Sequence, residues 1–182
     1  MPTIFEIKKT RSNLTENEKN ELFRLLEYYS SRKEGEWLKS INWKEDYEYY
    51  WCSAFRGGDI LGAKPLIGNA IYIQDRLQPP IKNAELFWIQ IMTPTVVHEL
   101  RHAWQQSRYG KILWSLLYLP EHLPFLYGKG LIEGDAFKIS DEAQVLIEAK
   151  LNSEYLVEFS KRTKKKNLKN YNQTLHNNPQ RR

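Results

Sequence analysis

The chain has 182 residues, 41% of them hydrophobic, and a formal net charge of +5, a composition that suits one globular domain with a buried core. Its single cysteine, Cys52, excludes an intramolecular disulfide and a thiolate metal cluster, so any metal must be held by histidine and carboxylate groups. The apolar run from Ile112 to Pro120 is shorter than the roughly 20 residues that cross a bilayer as a helix.

The N-terminal residues alternate apolar and charged side chains, where a secretory signal needs a continuous apolar stretch. We therefore expect a cytoplasmic protein without a transmembrane segment, and export by a route other than Sec stays open. The sequence indicates no oligomeric state.

The first predicted element is a helix from Glu16 to Arg32. Thr15 and Glu18 have the spacing of a capping box. Four apolar residues then follow at helical spacing, namely Leu22, Leu25, Leu26 and Tyr29.

Two strands are predicted next. The first is the aromatic-rich segment 47–55, and the second is the segment from Gly68 to Gln74, "GNAIYIQ". The Gly-containing stretch "RGGD" after the first strand is typical of a connection between strands.

Two further helices complete the predicted fold. Thr93 as N-cap, Pro94 at the first helical position and Gly110 at the end delimit a helix around "TPTVVHELRHAWQQ". Ser140, followed by Asp141 in the first turn, predicts the start of the last helix.

Positive charge is concentrated at the C-terminal end of the chain. After Glu158 there are eight Lys or Arg residues and no acidic residue, so the preceding 158 residues carry a net charge of −3. A segment so poor in apolar residues cannot offset its ordering entropy by burial. We therefore predict a domain over residues 1–160 and a basic tail over 161–182, disordered or a frayed extension of the last helix. The tail either attracts nucleic acid or an anionic surface, or only keeps the chain soluble.

The motif H-E-x-x-H lies on the second of the three predicted helices. His98 and His102 are one helical turn apart, so both imidazoles can reach one zinc ion at about 2.1 Å. Glu99 lies beside them, where its carboxylate can take a proton from a water whose pKa the zinc lowers. The alternative is an amphipathic helix with two solvated histidines. The apolar residues around the motif predict a buried helix. Burying a histidine costs free energy unless its polar atoms have a binding partner.

A catalytic zinc site of this kind needs a third protein ligand. A third histidine at the metzincin spacing is missing, because Arg108 occupies that position. The candidates further along the chain are Glu121, His122, Glu133, Asp135, Glu142 and Glu148. We choose Glu133, with Asp135 in reserve, because both lie on the small-residue turn Gly130–Phe137 ahead of the last helix.

The block from Leu61 to Gln106, "LGAKPLIGNAIYI…TPTVVHELRHAWQQ", resembles an uncharacterised bacterial family of zinc-peptidase-like domains found with extracellular contractile injection systems. Those domains show a strand "GARAFTxGNxIYF" that leads into "HELTHVxQQ". The chain is therefore similar to a small gluzincin, in which a glutamate from a following helix completes the zinc site. The wider pattern "ExEADxFA" places Leu131 at the ligand position and Glu133 two residues later.

The resemblance also implies substrate-contacting residues. The strand before the active-site helix is an edge strand in such folds and pairs with an extended substrate, and the alternative is an ordinary internal strand. The implied substrate-binding residues are Asn69, Ile71, Tyr72 and Ile73. Three residues follow the motif closely in the sequence and carry groups that can polarise a scissile carbonyl, although each can equally be a packing residue: Tyr109, His122 and Tyr127.

The apolar run "KILWSLLYLPEHLPFLYG" is consistent with core, with a hydrophobic substrate subsite or with a membrane-contacting loop. The exposure of Trp114 distinguishes these three interpretations.

Together these patterns predict an α+β fold of the minimal zincin or gluzincin kind, with an N-terminal helix, a small mostly antiparallel sheet, the H-E-x-x-H helix and a C-terminal helix. The predicted function is that of a zinc metallopeptidase that hydrolyses a peptide or protein substrate, with Glu99 as general base. The alternative is an inactive, peptidase-derived module that binds a protein, or nucleic acid through the tail.

Overall fold

The computed structural model describes residues 11–53, 62–65, 68–74, 91–121 and 130–176. The chain divides into two compact units, Met1–Ile147 and Glu148–Arg182. The elements in chain order are β1 (Arg11–Asn13), α1 (Glu16–Ser30), a 3₁₀ helix (Glu36–Ser40), β2 (Glu48–Cys52), β3 (Gly62–Ala63), β4 (Ala70–Gln74), α2 (Thr93–Tyr109), α3 (Lys111–Glu121) and α4 (Glu133–His176). The α+β class is as predicted. The backbone is helical as far as His176, and the domain boundary at residue 160 stays a prediction.

Helix α1 begins and packs as its sequence predicts. Thr15 Oγ1 accepts a hydrogen bond from the Glu18 backbone N–H, and the Glu18 carboxylate accepts the Thr15 backbone N–H at 2.7 Å. This capping box satisfies two backbone donors that the first turn leaves without partners. The helix ends at Ser30, two residues before the predicted end. All four residues of the predicted apolar stripe are buried: Leu22, Leu25, Leu26 and Tyr29.

The described strands form a mixed four-stranded sheet with the order β1-β2-β4-β3. Strand β2 pairs with β4 in parallel, from Glu48 opposite Ala70 to Cys52 opposite Gln74. The two outer pairings, β1 with β2 and β3 with β4, are antiparallel. The predicted sheet was mostly antiparallel, and this holds for the number of pairings, but the longest pairing is parallel.

Strand β4 is internal, so the expectation of an edge strand is wrong. Ile73 and Tyr72 pair with Gly62 and Ala63 of β3 on one side, while β2 pairs along the other. Ile71, Tyr72, Ile73 and Gln74 are all buried. Four buried residues in succession are typical of a strand covered on both faces, rather than of an edge strand with one solvated face. Among the described strands, β3 is the outer strand beside β4.

Helix α2 carries the H-E-x-x-H motif and packs against β3, β4 and α1. Thr93 is not its N-cap. Residues 91 and 92 are already helical with a π-type turn, Met92 has αR dihedral angles, and Thr93 is fully buried. The predicted end is confirmed, because Gly110 follows the last turn with φ of +75°, a conformation that favours glycine.

Helix α4 begins seven residues before the predicted start at Ser140. Backbone bonds from Gly134 N to Gly130 O and from Ala136 N to Ile132 O already form its first turn. Ser140 lies inside the helix, where its hydroxyl donates to the Phe137 carbonyl at 2.8 Å instead of capping a terminus. Buried apolar residues follow helical spacing on both sides of Ser140, which explains the earlier start: Ile132 and Ala136 before it, and Ala143 and Ile147 after it.

Helix α3 contains the first part of the apolar run. Trp114 is 3% exposed, as the interpretation of the apolar run as core predicts for this position. Four other apolar residues of the helix are exposed: Ile112, Leu113, Leu116 and Leu119. In the part of the chain that the structure describes, no helix is both long and apolar enough to cross a membrane.

Candidate metal centre

The two histidines of the motif converge on one point beside α2. His98 Nε2 and His102 Nε2 are 3.1 Å apart, and the two rings are nearly perpendicular. The His98 side chain is 13% exposed and that of His102 is 4% exposed. Their position one turn apart on a buried face produces this convergence, as the spacing predicts.

Glu133 completes the group from the first turn of α4. Its Oε2 lies 3.2 Å from His98 Nε2, and its Oε1 lies 3.5 Å from His102 Nε2. The carboxylate side chain is 3% exposed. Each of the three residues offers one ligand atom, and these atoms all lie within 4.8 Å of one another.

The spacing of the three donors fits a tetrahedral metal site. Bonds of 2.0–2.1 Å to a tetrahedral zinc separate neighbouring donor atoms by about 3.3 Å. The nearest separations among the three residues are 3.1, 3.2 and 3.5 Å, and the last two are measured from different oxygens of the Glu133 carboxylate. With one ligand atom from each residue inside a span of 4.8 Å, His98, His102 and Glu133 could hold a metal ion between them.

Electrostatics couple Glu133 to the imidazoles. Burial acts to raise the pKa of Glu133, but hydrogen bonds from His102 and His98 outweigh it and hold that pKa well below its ordinary value. Burial acts to lower the pKa of His102, but its hydrogen bond to Glu133 and the charge of Glu99 outweigh burial and raise that pKa. The site therefore stabilises the charged Glu133 carboxylate beside a protonated imidazole. A metal ion bound there could take the place of the imidazolium proton.

Gln105 fixes the tautomer of His102. Its amide Nε2 donates to the Ile132 carbonyl at 3.0 Å and to Asp135 Oδ2 at 2.9 Å. Both partners only accept hydrogen bonds, so the amide orientation is determined and Oε1 faces His102 Nδ1 at 3.0 Å. Because that oxygen only accepts, Nδ1 carries the proton, and Nε2 is the ring nitrogen that could bind a metal ion.

Asp135, the reserve ligand, lies outside the group of three donors. Its Oδ2 accepts from Arg101 Nε at 2.6 Å and its Oδ1 accepts from Arg101 Nη2 at 3.2 Å. The Arg101 guanidinium also stacks on Trp104, with its central carbon 3.9 Å from the ring centroid. The Arg101 side chain is 12% exposed, so it is not a solvated residue on the helix surface. The pair joins α2 to the turn that carries Glu133.

Aromatic rings close one side of the centre. Trp114 and Tyr118 of α3 stack with centroids 4.2 Å apart, and both rings meet the edge or face of His102. Phe137 of α4 lies 4.7 Å from the His98 ring, between centroids. These apolar contacts lower the local dielectric constant and strengthen the interactions inside the site.

Glu99 lies next to the outer strand β3 and is 6% exposed. A Cβ atom on Gly62 would lie 3.1 Å from Glu99 Oε1 and 2.6 Å from Thr95 Cγ2. Only a residue without a side chain permits this close approach of strand to helix. The glycine thereby places the β3 backbone directly beside the Glu99 carboxylate.

The remaining predicted site residues have different positions. Tyr109 is 45% exposed at the end of α2, about two helical turns or 10 Å along the axis from His102. His122 and Tyr127 lie outside the described residues. Leu131, which the resemblance places at the ligand position, is 77% exposed, and the ligand group contains Glu133 instead. Among the described residues, Glu142 and Glu148 belong to no such group.

Searches with protein-family models, among curated proteins and among solved structures gave no significant match to this chain.

Two residues that contribute to this region were not predicted in these roles. Gln105 stands three residues after His102 on one helix, so helical spacing alone places it within reach of that imidazole. Lys64 lies on the chain just after β3 and donates to Gln106 Oε1 at 2.7 Å. No helical or strand periodicity connects residues 64 and 106, and only the fold brings them together.

Proposed function

We propose that this protein is a zinc-dependent metallopeptidase that hydrolyses peptide bonds, built as a minimal gluzincin. The observation that carries the proposal is the convergence of His98, His102 and Glu133, with Glu99 directly after the first histidine on the same helix. The origin of the third donor on a helix that follows α2 supports the gluzincin assignment.

The donor set favours zinc. Two imidazoles and one carboxylate are the ligands of catalytic zinc sites in peptidases, and three protein ligands leave a fourth position open for a reacting molecule. Oxygen-rich sets suit magnesium or calcium better, and this group contains a single carboxylate. When bound, zinc would act as a Lewis acid that activates water and polarises the scissile carbonyl.

The protein's own residues would manage protons and orientation. The Glu99 carboxylate would accept a proton from the attacking water and deliver it to the nitrogen of the leaving amine. Gln105 keeps His102 Nδ1 protonated, so its Nε2 stays available as a donor. The rings of Trp114 and Tyr118 exclude bulk water from the side of His102.

Metal content and hydrolysis test the proposal together. The protein, purified without chelator, should contain one zinc per chain by elemental analysis, and His98→Ala should lose it. A peptide library should be cleaved by the zinc protein, inhibited by a chelator and cleaved again after zinc is restored. A stable, folded protein that takes up no zinc would instead favour the peptidase-derived binding module.

A further inference from the structure

Strand β3 and the residue after it follow one face of α2. Lys64 is the residue directly after β3 and lies two residues beyond Gly62. Gly62 meets Glu99, and Lys64 Nζ reaches Gln106 Oε1 at 2.7 Å. Glu99 and Gln106 are seven residues apart on the helix, about 10 Å along its axis and on the same face.

Lys64 holds its charge without a carboxylate partner in the described part of the chain. Its ammonium donates to two neutral oxygens, Gln106 Oε1 and the Pro65 carbonyl at 3.2 Å. Burial lowers the pKa of Lys64 to about 8, the charge of Glu99 opposes this shift and the charge of Lys111 adds to it. An ammonium group has three donors, so one remains for a further acceptor.

Gln106 has unused donor capacity as well. The residue is 8% exposed, and its Nε2 has no hydrogen-bond partner among the residues that the structure describes. A buried amide donor without an acceptor costs free energy that an anionic ligand nearby can recover. The two side chains together offer a cation and an amide donor, and they lie along the same helix face as the proposed general base.

We propose that Lys64 and Gln106 form a carboxylate-binding subsite beside Glu99, so that the enzyme prefers peptides with a carboxylate close to the scissile bond. The carboxylate belongs either to an Asp or Glu side chain or to the C-terminus of the peptide. The role of this subsite in catalysis rests on the proposed peptidase function. Anion binding at Lys64 does not depend on that function.

The competing explanation is purely structural. The hydrogen bond from Lys64 to Gln106 also fastens β3 to α2, and a fastening contact needs no ligand. If the hydrogen bond has only a structural role, its loss changes the binding of all substrates equally. A carboxylate subsite, by contrast, discriminates between charged and neutral substrates. The experiment therefore compares matched ligands that differ only in that charge.

Binding is measured on the full-length protein by NMR, with the Lys64 side-chain methylene and the Gln106 side-chain amide as reporters. The probes are acetyl-glutamate amide for a side-chain carboxylate, acetyl-alanine for a terminal carboxylate, and acetyl-glutamine amide as the neutral control. At least one carboxylate should give saturable shifts at both reporters and bind about tenfold more tightly than the neutral control, as expected for a charge-assisted hydrogen bond. The carboxylate that binds identifies its source.

Three variants refine the binding measurement. Lys64→Met should abolish the shift of the Gln106 amide, and Lys64→Arg, which keeps the charge, should retain most of it. Lys39→Met removes an exposed charge that is not among the causes of the Lys64 pKa shift and should leave binding unchanged. Absence of saturable shifts in the wild-type protein, or equal shifts with acetyl-glutamine amide, overturns the proposal whether or not any variant folds.

Cleavage of a peptide library then separates the two proposals. Zinc-loaded wild-type protein should enrich cleavage next to a carboxylate, and Lys64→Met should lose about tenfold on those peptides while neutral peptides are cleaved as before. An equal loss on all peptides means that Lys64 only fastens β3. No cleavage above a Glu99→Gln background contradicts the peptidase function, and in that case the NMR titration still decides the subsite.

Discussion

The Gln105 side chain accepts a hydrogen bond from His102 Nδ1 at 3.0 Å, and the same amide donates to Asp135 and to the Ile132 carbonyl. One residue therefore fixes the tautomer of a proposed ligand on α2 and ties it to the turn that carries Glu133. Since these contacts join the two helices that carry the candidate ligands, the geometry of the centre depends on residues that would donate no atom to a metal ion.

Gln105→Leu should weaken zinc binding by about 10- to 100-fold while the fold persists, because His102 loses the acceptor that selects its tautomer. Competition with a chromogenic chelator measures the affinity, and ¹⁵N NMR of His102 reports the tautomer. Tyr109→Phe, an exposed change on the same helix, is the matched control and should leave both unchanged. Unaltered affinity in Gln105→Leu would show that the hydrogen bond does not position the ligand.

Asp135→Asn should keep stoichiometric zinc and lower the free energy of unfolding by about 1–3 kcal/mol, because the half-buried Arg101 loses a charged partner. Denaturant unfolding and elemental analysis measure the two effects on the same sample. The opposite pattern, loss of zinc with unchanged stability, would mean that Asp135 is a ligand after all.

Gly62→Ala should destabilise the protein by about 1–3 kcal/mol, because the added Cβ would lie 2.6 Å from Thr95 Cγ2 and force β3 away from α2. The double variant Gly62→Ala with Thr95→Ser removes the clashing methyl group and should recover part of the loss. Full additivity of the two single changes in denaturant unfolding would contradict the close approach of strand and helix.

The lowered pKa of Lys64 should be visible in the pH dependence of the protein's stability. Its folded-state pKa of about 8 lies below its ordinary value of 10.5, so the unfolded chain binds more protons between these values. The free energy of unfolding therefore gains a contribution that rises as the pH increases from about 8 to 10.5. Thermal melting across this range should show the rise in the wild-type protein relative to Lys64→Met. Lys39→Met, which removes an exposed charge that is not among the causes of the Lys64 shift, is the charge-matched control. Parallel curves for wild type and Lys64→Met would mean that the Lys64 pKa is not lowered.

Helical spacing made the local features of the sequence predictable. The capping box at Thr15, the end of α2 at Gly110 and the convergence of His98 with His102 all follow from contacts within one helix. The helix boundaries that were predicted wrongly depend on tertiary packing. Buried residues on both sides of Ser140 extend α4 over a position that local preference assigns to a cap.

The neighbours of β4 could not be derived from its own residues. A run of buried residues is compatible with a central strand, but the partner strand β3 is only two residues long and gives no periodic signal. The contact of Lys64 with Gln106 has the same origin, since it depends on where β3 lies along α2. Glu133 was chosen for its carboxylate and its place in the chain, and its position at the first turn of α4 required the structure.

The central claim, that His98, His102 and Glu133 hold a catalytic zinc ion and that Glu99 acts as its base, is tested most directly by zinc content and hydrolysis in two matched variants. Glu99→Gln should keep one zinc per chain while hydrolysis falls by at least about two orders of magnitude, because the amide cannot accept the proton of water. Glu133→Gln should lose zinc and activity together, because a neutral amide oxygen is a poorer zinc ligand than a carboxylate. Full zinc in Glu133→Gln, or undiminished hydrolysis in Glu99→Gln, would contradict this account.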